Sequence, residues 1–252
     1  EPIVAIDLGG THFRAALVNA NGAILNRVLE DSRSHEGPEA VVDRIAGVAD
    51  NLLSQAGYQR PVGIGVAVAG PIDGAGVIHN PPNLTGWGTV PFGQMLRDRF
   101  GSNLWLGNDA NIAVLGEHTF GAAQGITDAI YMTLSTGVGG GVLSGGGLIT
   151  GCEGLAAELG HIIVTQGGRV GACGHSGCLE SLVSGPSIAE RAREAIATGH
   201  QSKLTQLVGR SNDIQAHDVF QAAAAGDELS TALIDRVAVE LASGIVSLVH
   251  IF

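Results

Sequence analysis

Apolar residues fill positions 3–6 and 8, with Asp7 the one polar interruption, and this pattern predicts a buried strand over 3–8. Positions 12–18 alternate in part. Asn21-Gly22 is a strong hairpin signal, and a third strand is expected over 23–29. Pro38 suits a helix start, Val41, Ile45, Val48 and Leu52 share one helical face, and Gly57 suits the stop. Residues 62–69 read as another buried strand ended by Gly70-Pro71, and a loop rich in Pro and Asn follows. A short helix over 91–99, a strand over 104–106 and a helix opened by Asn108-Asp109 complete this half. The order β-β-β-α-β-α-β-α predicts an α/β fold, a mixed sheet with helices packed on it.

The second half restarts the theme. A strand is predicted over 129–134, then Ser135-Thr-Gly-Val-Gly-Gly-Gly141, then a strand near 141–144. Helices dominate after 178: Gly185-Pro186 precedes one, and 228–251 suits a long amphipathic one. Two strand-to-glycine turns in succession suggest two related α/β lobes with a cleft between them. Gly116, Gly121 and Gly125 punctuate the chain near 117–125, so an N-terminal lobe over 1–117 and a C-terminal lobe over 118–252 are expected. The sequence closes on an apolar run, Ile245 to Phe252, and lacks an initiator Met, so a longer natural chain is expected.

Composition narrows the class. Of 252 residues, 45% are hydrophobic and 15% charged, which supports a sizeable core and argues against disorder. A net charge of −11 with 13 Lys and Arg makes a poor binder of phosphate backbones or anionic membranes, so neither a nucleic-acid nor a membrane partner is expected. The 39 glycines favour tight turns and close backbone approaches, as in nucleotide-binding enzymes. No apolar stretch suits a transmembrane helix, and the first residues read as a strand rather than a signal peptide. Three cysteines, with Cys152 apart from Cys173 and Cys178, do not make a disulfide framework, and a reducing, cytoplasmic setting is expected.

The glycine turns carry the first candidate chemistry. Backbone N–H groups in such a turn can converge on an anion. Gly9, Gly10 and Thr11 fit one end of a polyphosphate, and Thr136, Gly137, Gly139 and Gly140 the other. Asp7, at the strand end, suits a Mg²⁺ held through water, since Mg²⁺ dehydrates reluctantly. The plain alternative is two tight hairpins. Neither stretch is a Walker A loop or a dinucleotide fingerprint. At Asn108-Asp109 the simple reading is a helix N-cap. The functional one is that Asp109 takes the proton of a hydroxyl attacking a γ-phosphate, and the two coexist if Asn108 handles the cap. His161, Cys173 and Cys178 suggest a structural Zn²⁺, but tetrahedral zinc takes four ligands, and the remaining candidate, His175, lies inside the same tight loop. Two buried thiols and a hydrogen-bonded His is the alternative. Glu158 and Glu180 alone are ordinary surface acids, although facing a cleft they would accept from sugar hydroxyls.

Six motifs occur in order: Asp7-Leu-Gly-Gly-Thr11, Gly65-Val-Ala-Val-Ala-Gly-Pro71, Asn108-Asp-Ala-Asn111, Ser135-Thr-Gly-Val-Gly-Gly-Gly141, Glu158-Leu-Gly-His161 and Cys173-Gly-His-Ser-Gly-Cys-Leu-Glu180. Together they resemble the ROK family (repressors, open reading frames and kinases) of the actin-like ATPase clan. Asn80-Pro-Pro-Asn-Leu-Thr-Gly-Trp87 resembles its glucokinase branch. The resemblance implies two RNase H-like lobes and an ATP-dependent hexose kinase acting on the sugar 6-hydroxyl, with D-glucose the leading candidate. It implies phosphate loops at 7–11 and 136–141, Asp7 near Mg²⁺, and Asp109 as the base. Asn83, Asn108, Asp109, Glu158, His161 and Glu180 match sugar-binding positions, and His161, Cys173 and Cys178 match zinc positions. The family zinc motif carries a further Cys where this sequence has Gly171, which puts zinc in doubt. The family also continues past a long helix into a strand and a glycine-rich segment that holds the adenosine. Fructose, mannose, allose, N-acetylglucosamine or N-acetylmannosamine are the alternative sugars. A sugar-responsive transcriptional regulator and a catalytically silent sugar-binding module are rivals of other classes. A homodimer is the expected assembly.

Overall fold

The computed structural model describes residues 2–101 and 103–252; Glu1, where the expected first lobe begins, and Ser102 lie outside the described residues. The chain divides into two compact units, one running up to Ala129 and taking in Gly146–Ala156, the other formed by Ile130–Gly145 and Ala157–Phe252. A single boundary near 117–125 was expected from the glycines. The helix that opens at Asp109 runs through that stretch to Phe120, and the chain returns to the first unit once.

The first unit is built from β1 (Ile3–Leu8), β2 (His12–Val18), β3 (Ile24–Asp31), helix α1 (Pro38–Gln55), β4 (Gly63–Val68), the short pair β5 (Ile78–His79) and β6 (Thr89–Val90), α2 (Phe92–Phe100), β7 (Leu104–Asn108) and α3 (Asp109–Phe120). The main sheet has the order β3-β2-β1-β4-β7. β2 pairs antiparallel with β1 and β3, whereas β4 pairs parallel with β1 and β7. The pattern of side chains explains the layers. Val4, Ile6 and Leu8 of β1 and Phe13, Ala15 and Leu17 of β2 are buried, and they share a core with Val41, Ile45, Ala49 and Leu52 of α1. β4 is buried on nearly every residue, which is why it reads as a continuous apolar run. β3 is the exposed edge and carries Arg27, Glu30 and Asp31, charges that discourage further strand pairing.

Register decides what this sheet presents. Leu8 pairs with Val68, and Val68 with Asn108, so β1, β4 and β7 end side by side at their carboxyl ends. That edge is where open α/β sheets hold ligands. The side chain of Asn19 accepts from the amides of Asn21 and Ala23, each at 3.0 Å, and closes the expected hairpin at the far end.

The second unit contains β8 (Ala129–Leu134) from its second residue on and its hydrogen-bonded neighbour β9 (Val138–Ser144), followed by α4 (Leu179–Val183), α5 (Gly185–Ala197), α6 (Leu204–Val208), α7 (Ala216–Ala224) and α8 (Glu228–Ile251). Val138, Leu179, Leu182, Ile188, Ala192, Val219, Ala222 and Val237 form its core. The capping chemistry is local: Gln215 and Asp218 make a reciprocal box at α7, and Asp227 caps α8 by accepting from Ser230 N at 2.9 Å. Arg191 on α5 and Glu240 on α8 form a nearly buried ion pair at 2.7 Å. Two expectations shift. The second strand starts at Val138 rather than near 141, so Gly139–Gly141 lie in a strand rather than a turn. The long helix is less amphipathic than expected, since Val239, Val246, Val249 and Ile251 are exposed. Among the described residues no helix is long and apolar enough to cross a membrane.

Candidate active site

In the first unit the β1–β2 connection is a closed turn: the Gly9 amide donates to His12 O at 3.0 Å. One amide of the turn, that of Gly9, is therefore spent inside it. Neither Gly9 nor Gly10 has a positive φ. Gly10 is required by close approach instead, because a Cβ there would sit 2.0 Å from the carbonyl oxygen of Asn83. The Gly10 carbonyl accepts from Ser32 Oγ at 2.6 Å and Ser34 Oγ at 3.1 Å, and the Thr11 carbonyl accepts from Ser32 N at 2.9 Å. The loop bearing Asn83 is anchored beside it by buried Leu84 and Trp87, whose Nε1 donates to Ser34 O at 2.9 Å. The turn with Thr11 and the loop with Asn83 are thus one packed assembly, and the Asn83 side chain is exposed on it.

Asn108 and Asp109 divide the labour at the start of α3. Asn108 is the N-cap: its Oδ1 accepts from Ala110 N at 3.0 Å and Asn111 N at 3.2 Å, while its Nδ2 donates to Gly70 O at 3.3 Å. Asp109 is released from that duty. Burial raises its carboxyl above the usual aspartate value; the Ala110 amide, donating to Oδ1 at 2.8 Å, pulls the other way, and the nearby Asp7 charge adds to the rise. A carboxylate held partly out of water beside another carboxylate is a better proton acceptor than a free surface Asp. Asp7 pairs across the strands with Arg14, whose guanidinium donates to its Oδ2 at 2.8 Å. A cation at Asp7 therefore shares the carboxylate with Arg14.

In the second unit Gly140 of β9 serves a packing role. A Cβ on Gly140 would meet Leu159 Cδ1 at 2.3 Å, and one on Gly160 would meet Val138 O at 2.2 Å. The segment Glu158-Leu159-Gly160-His161 is locked against β9 by these two approaches. Ala157, just before it, holds a φ of 65°, a left-handed conformation that a non-glycine residue adopts only when its surroundings impose it. Glu180 Oε2 accepts from Val138 N at 2.9 Å, and a Cβ on Gly137 would come within 2.6 Å of the same oxygen. Glu180 thus grips the turn containing Thr136 and Gly137. Ser135 N donates to Gly137 O, and Gly185 N at the start of α5 donates to Ser135 O, each at 2.9 Å. A pocket of about 400 Å³ opens beside this turn, lined among others by Thr136, Pro186, Arg193, Gln215 and His217.

His161, Cys173 and Cys178 come together: one nitrogen and two sulfurs lie within 4.8 Å of one another. The sulfurs are 3.7 Å apart. Two thiolates on a tetrahedral zinc, each about 2.3 Å from the metal, lie about 3.8 Å from each other. The donors and their spacing therefore fit zinc, with three protein ligands. His175 is not part of the group among the described residues. Cys152 stays apart and exposed, and none of the three cysteines is in a disulfide.

Several residues escaped the sequence reading. Arg14 was legible in principle, because a tight turn at Gly9-Gly10 puts it opposite Asp7 in the register. Ser32, Ser34, Arg193 and Gln215 carry no linear signal. Asn111 sits inside a recognised motif; it is buried, and its Oδ1 lacks a hydrogen-bond partner among the described residues.

The whole pattern has relatives. The chain is 38% identical over 251 residues to a glucokinase of Thermotoga maritima, covering 99% of this chain and 78% of that protein. It is 37% identical over 242 residues to an N-acetylmannosamine kinase of Shigella flexneri, covering 95% of this chain and 76% of that one. A crystal structure of a ROK family glucokinase from Streptomyces griseus in complex with glucose and AMPPNP superposes with a TM-score of 0.81 at 31% identity, covering 100% of this chain and 80% of that one. The six ordered motifs, the two α/β units and a ROK family model that matches residues 3–252 converge, and the chain belongs to the ROK family.

Proposed function

We infer that the chain is an ATP-dependent hexose kinase, transferring the γ-phosphate of ATP to the 6-hydroxyl of a sugar, with D-glucose as the substrate. The observation that carries this reading is Asp109. It stands at the first position of α3 with its capping role taken by Asn108, and its carboxyl is raised by burial and by Asp7. Phosphoryl transfer asks for little covalent work from the protein: a base for the attacking hydroxyl, in-line positioning and neutralised charge. Asp109 accepts the proton as the hydroxyl oxygen attacks phosphorus. Its raised pKa makes its carboxylate a stronger base than a free aspartate.

The other residues take the remaining roles. Thr11 and the turn around Gly9-Gly10 are phosphate contacts, as are Thr136, Gly137 and the start of β9 with Gly139 and Gly140. Asn83, Asn108, Glu158, His161 and Glu180 hydrogen-bond the sugar hydroxyls. Mg²⁺, when bound, neutralises charge developing on the phosphates. Asp7 is its protein contact, through water, with Arg14 fixing the carboxylate. His161, Cys173 and Cys178 hold a zinc ion that braces the segment containing Glu158. The protein works in the cytoplasm as a homodimer and binds neither nucleic acid nor membrane. The acidic charge and the reduced cysteines support this setting, and the dimer rests on the family resemblance alone.

A second sugar is favoured by one finding, the 37% identity to an N-acetylmannosamine kinase. ADP release with Mg-ATP is the discriminating experiment, run against glucose, mannose, fructose, allose, N-acetylglucosamine and N-acetylmannosamine. The highest kcat/KM with glucose supports the reading. The highest value with N-acetylmannosamine replaces the substrate and keeps the enzyme class. No turnover with any sugar overturns the kinase reading.

A further inference from the structure

The cluster of His161, Cys173 and Cys178 is prearranged by the backbone around it. Leu179 N donates to Ile162 O at 3.0 Å and Val164 N to Gly177 O at 2.9 Å, so the segment after His161 is paired with the segment through Cys178. Gly177 permits this approach, since a Cβ there would lie 1.7 Å from Thr165 O. Arg169 ties the same loop to α5, donating to Glu190 at 2.7 Å and to Glu194 at 2.6 Å, and these carboxylates hold the guanidinium fully charged. The donors are therefore held in place by contacts other than a metal.

The direction from which a fourth protein ligand would approach is identifiable. A Cβ on Gly171 would lie 2.8 Å from Cys178 Sγ and 3.4 Å from Cys173 Sγ, so position 171 faces both sulfurs. Its φ is not left-handed, and the backbone does not demand glycine there. The Gly171 amide donates to His175 O and its carbonyl accepts from Gly174 N, each at 2.9 Å, which fixes the position against the cluster. The residue facing the thiols is the one residue type without a side chain.

We propose that His161, Cys173 and Cys178 form a three-ligand zinc centre whose fourth position is taken by a small exogenous ligand, water or a low-molecular-weight thiol, so that the metal exchanges readily. Three protein ligands with one position open to solvent is the coordination otherwise used where zinc must meet a small molecule, whereas purely structural sites are closed by four. Two thiolates balance the charge of Zn²⁺, so the centre is neutral and accepts a neutral or an anionic fourth ligand. This proposal rests on the zinc reading given above.

The test uses the full chain and its Gly171→Cys variant, each loaded with Co²⁺ for spectroscopy and with Zn²⁺ for exchange. Wild type is expected to bind one Co²⁺ per chain, and the thiolate-to-cobalt charge-transfer band should shift when 2-mercaptoethanol is added. Gly171→Cys supplies a third thiolate, so that band should rise by about half, and added thiol should no longer move it. Zinc transfer to a chromogenic chelator should slow about ten-fold or more in the variant. Should wild type show no response to thiol and the same release rate as the variant, the protein supplies the fourth ligand; the open centre is then overturned while zinc binding stands. Failure of wild type to bind either metal overturns both readings. If Gly171→Cys does not fold, the thiol titration of wild type decides alone.

Discussion

Replacing Gly10 with Ala puts one methyl group where the structure has no room for it. The new Cβ would lie 2.0 Å from the carbonyl oxygen of Asn83 and 3.0 Å from its carbonyl carbon. Ordinary close C···O contacts run at about 3.3 Å or more, so the two segments must separate by roughly 1.3 Å. Neither side yields cheaply. The Gly10 carbonyl is held by Ser32 and Ser34, and the Asn83 loop is held by buried Leu84 and Trp87. Overpacking of this kind costs about 1–3 kcal/mol, and loosening one of the serine hydrogen bonds adds about 1 kcal/mol. The lower entropy of the unfolded alanine chain offsets about 0.4–1 kcal/mol. A net loss of about 1–3 kcal/mol is expected in urea unfolding. The displacement also moves the loops assigned to phosphate and sugar by about 1 Å, a misplacement that costs on the order of 10²-fold in turnover. Gly47→Ala is the control: the site lies inside α1 with nothing within 4 Å of the new methyl, and should gain about 0.5–1 kcal/mol. A Gly10→Ala protein with wild-type stability and kcat would refute the close contact and the reasoning built on it.

Four further outcomes can be checked. The acid limb of the kcat/KM profile should report Asp109 above the usual aspartate range, and Asp7→Asn, by removing a like charge, should move that limb to lower pH even though activity falls; an unmoved limb would separate the two carboxylates. Because the Asp109 pKa is raised on folding, its contribution weakens the fold as pH climbs through that pKa, so Asp109→Asn should be more stable than wild type at pH 7 when compared by urea unfolding. Glu180→Gln keeps the shape but weakens the acceptor for Val138 N, and a charge-assisted hydrogen bond of about 1.5–3 kcal/mol predicts a fall in kcat/KM of roughly 10-fold or more, measured for ATP and sugar separately. Asp227 is buried, which disfavours its charge, yet the amides of Lys203 and Ser230 and the hydroxyls of Ser230 and Ser202 overcome that and hold its carboxyl down at about 2. The stability it provides, about 2 kcal/mol, is present above pH 3.8 and is lost as pH falls through about 2, so Asp227→Ala should lose its deficit relative to wild type in acid.

Much of this architecture was legible because its signals are local. The four apolar residues of α1, the Asn19–Ala23 hairpin and the span 228–251 of α8 follow from periodicity and turn chemistry within a few residues. Asn108 as cap and Asp109 as the freed acid were readable as a pair of alternatives, and hydrogen bonds show the cap. The glycines were readable as special but not for the right reason. Gly10, Gly140 and Gly160 are small because another backbone or side chain lies within about 2 Å of where a Cβ would be, and those partners are 73, 19 and 22 residues away. Spacing in a sequence does not encode which distant segment will arrive. The same limit hid Ser32 and Ser34, whose hydroxyls meet Gly10 only once β3 has returned alongside β2. Gly171 is the reverse case: its identity weakened the zinc reading, and only the fold shows that its missing side chain faces the two sulfurs.

The most direct test of the account is formation of glucose 6-phosphate from glucose and Mg-ATP by wild type and by Asp109→Asn, with glucose affinity measured alongside. The account predicts product from wild type, a loss of about 10²–10⁴-fold in kcat in the variant, and glucose binding changed little. A variant that keeps most of its turnover would contradict the assignment of the base, and a wild-type protein that binds glucose yet makes no phosphorylated product would contradict the kinase itself.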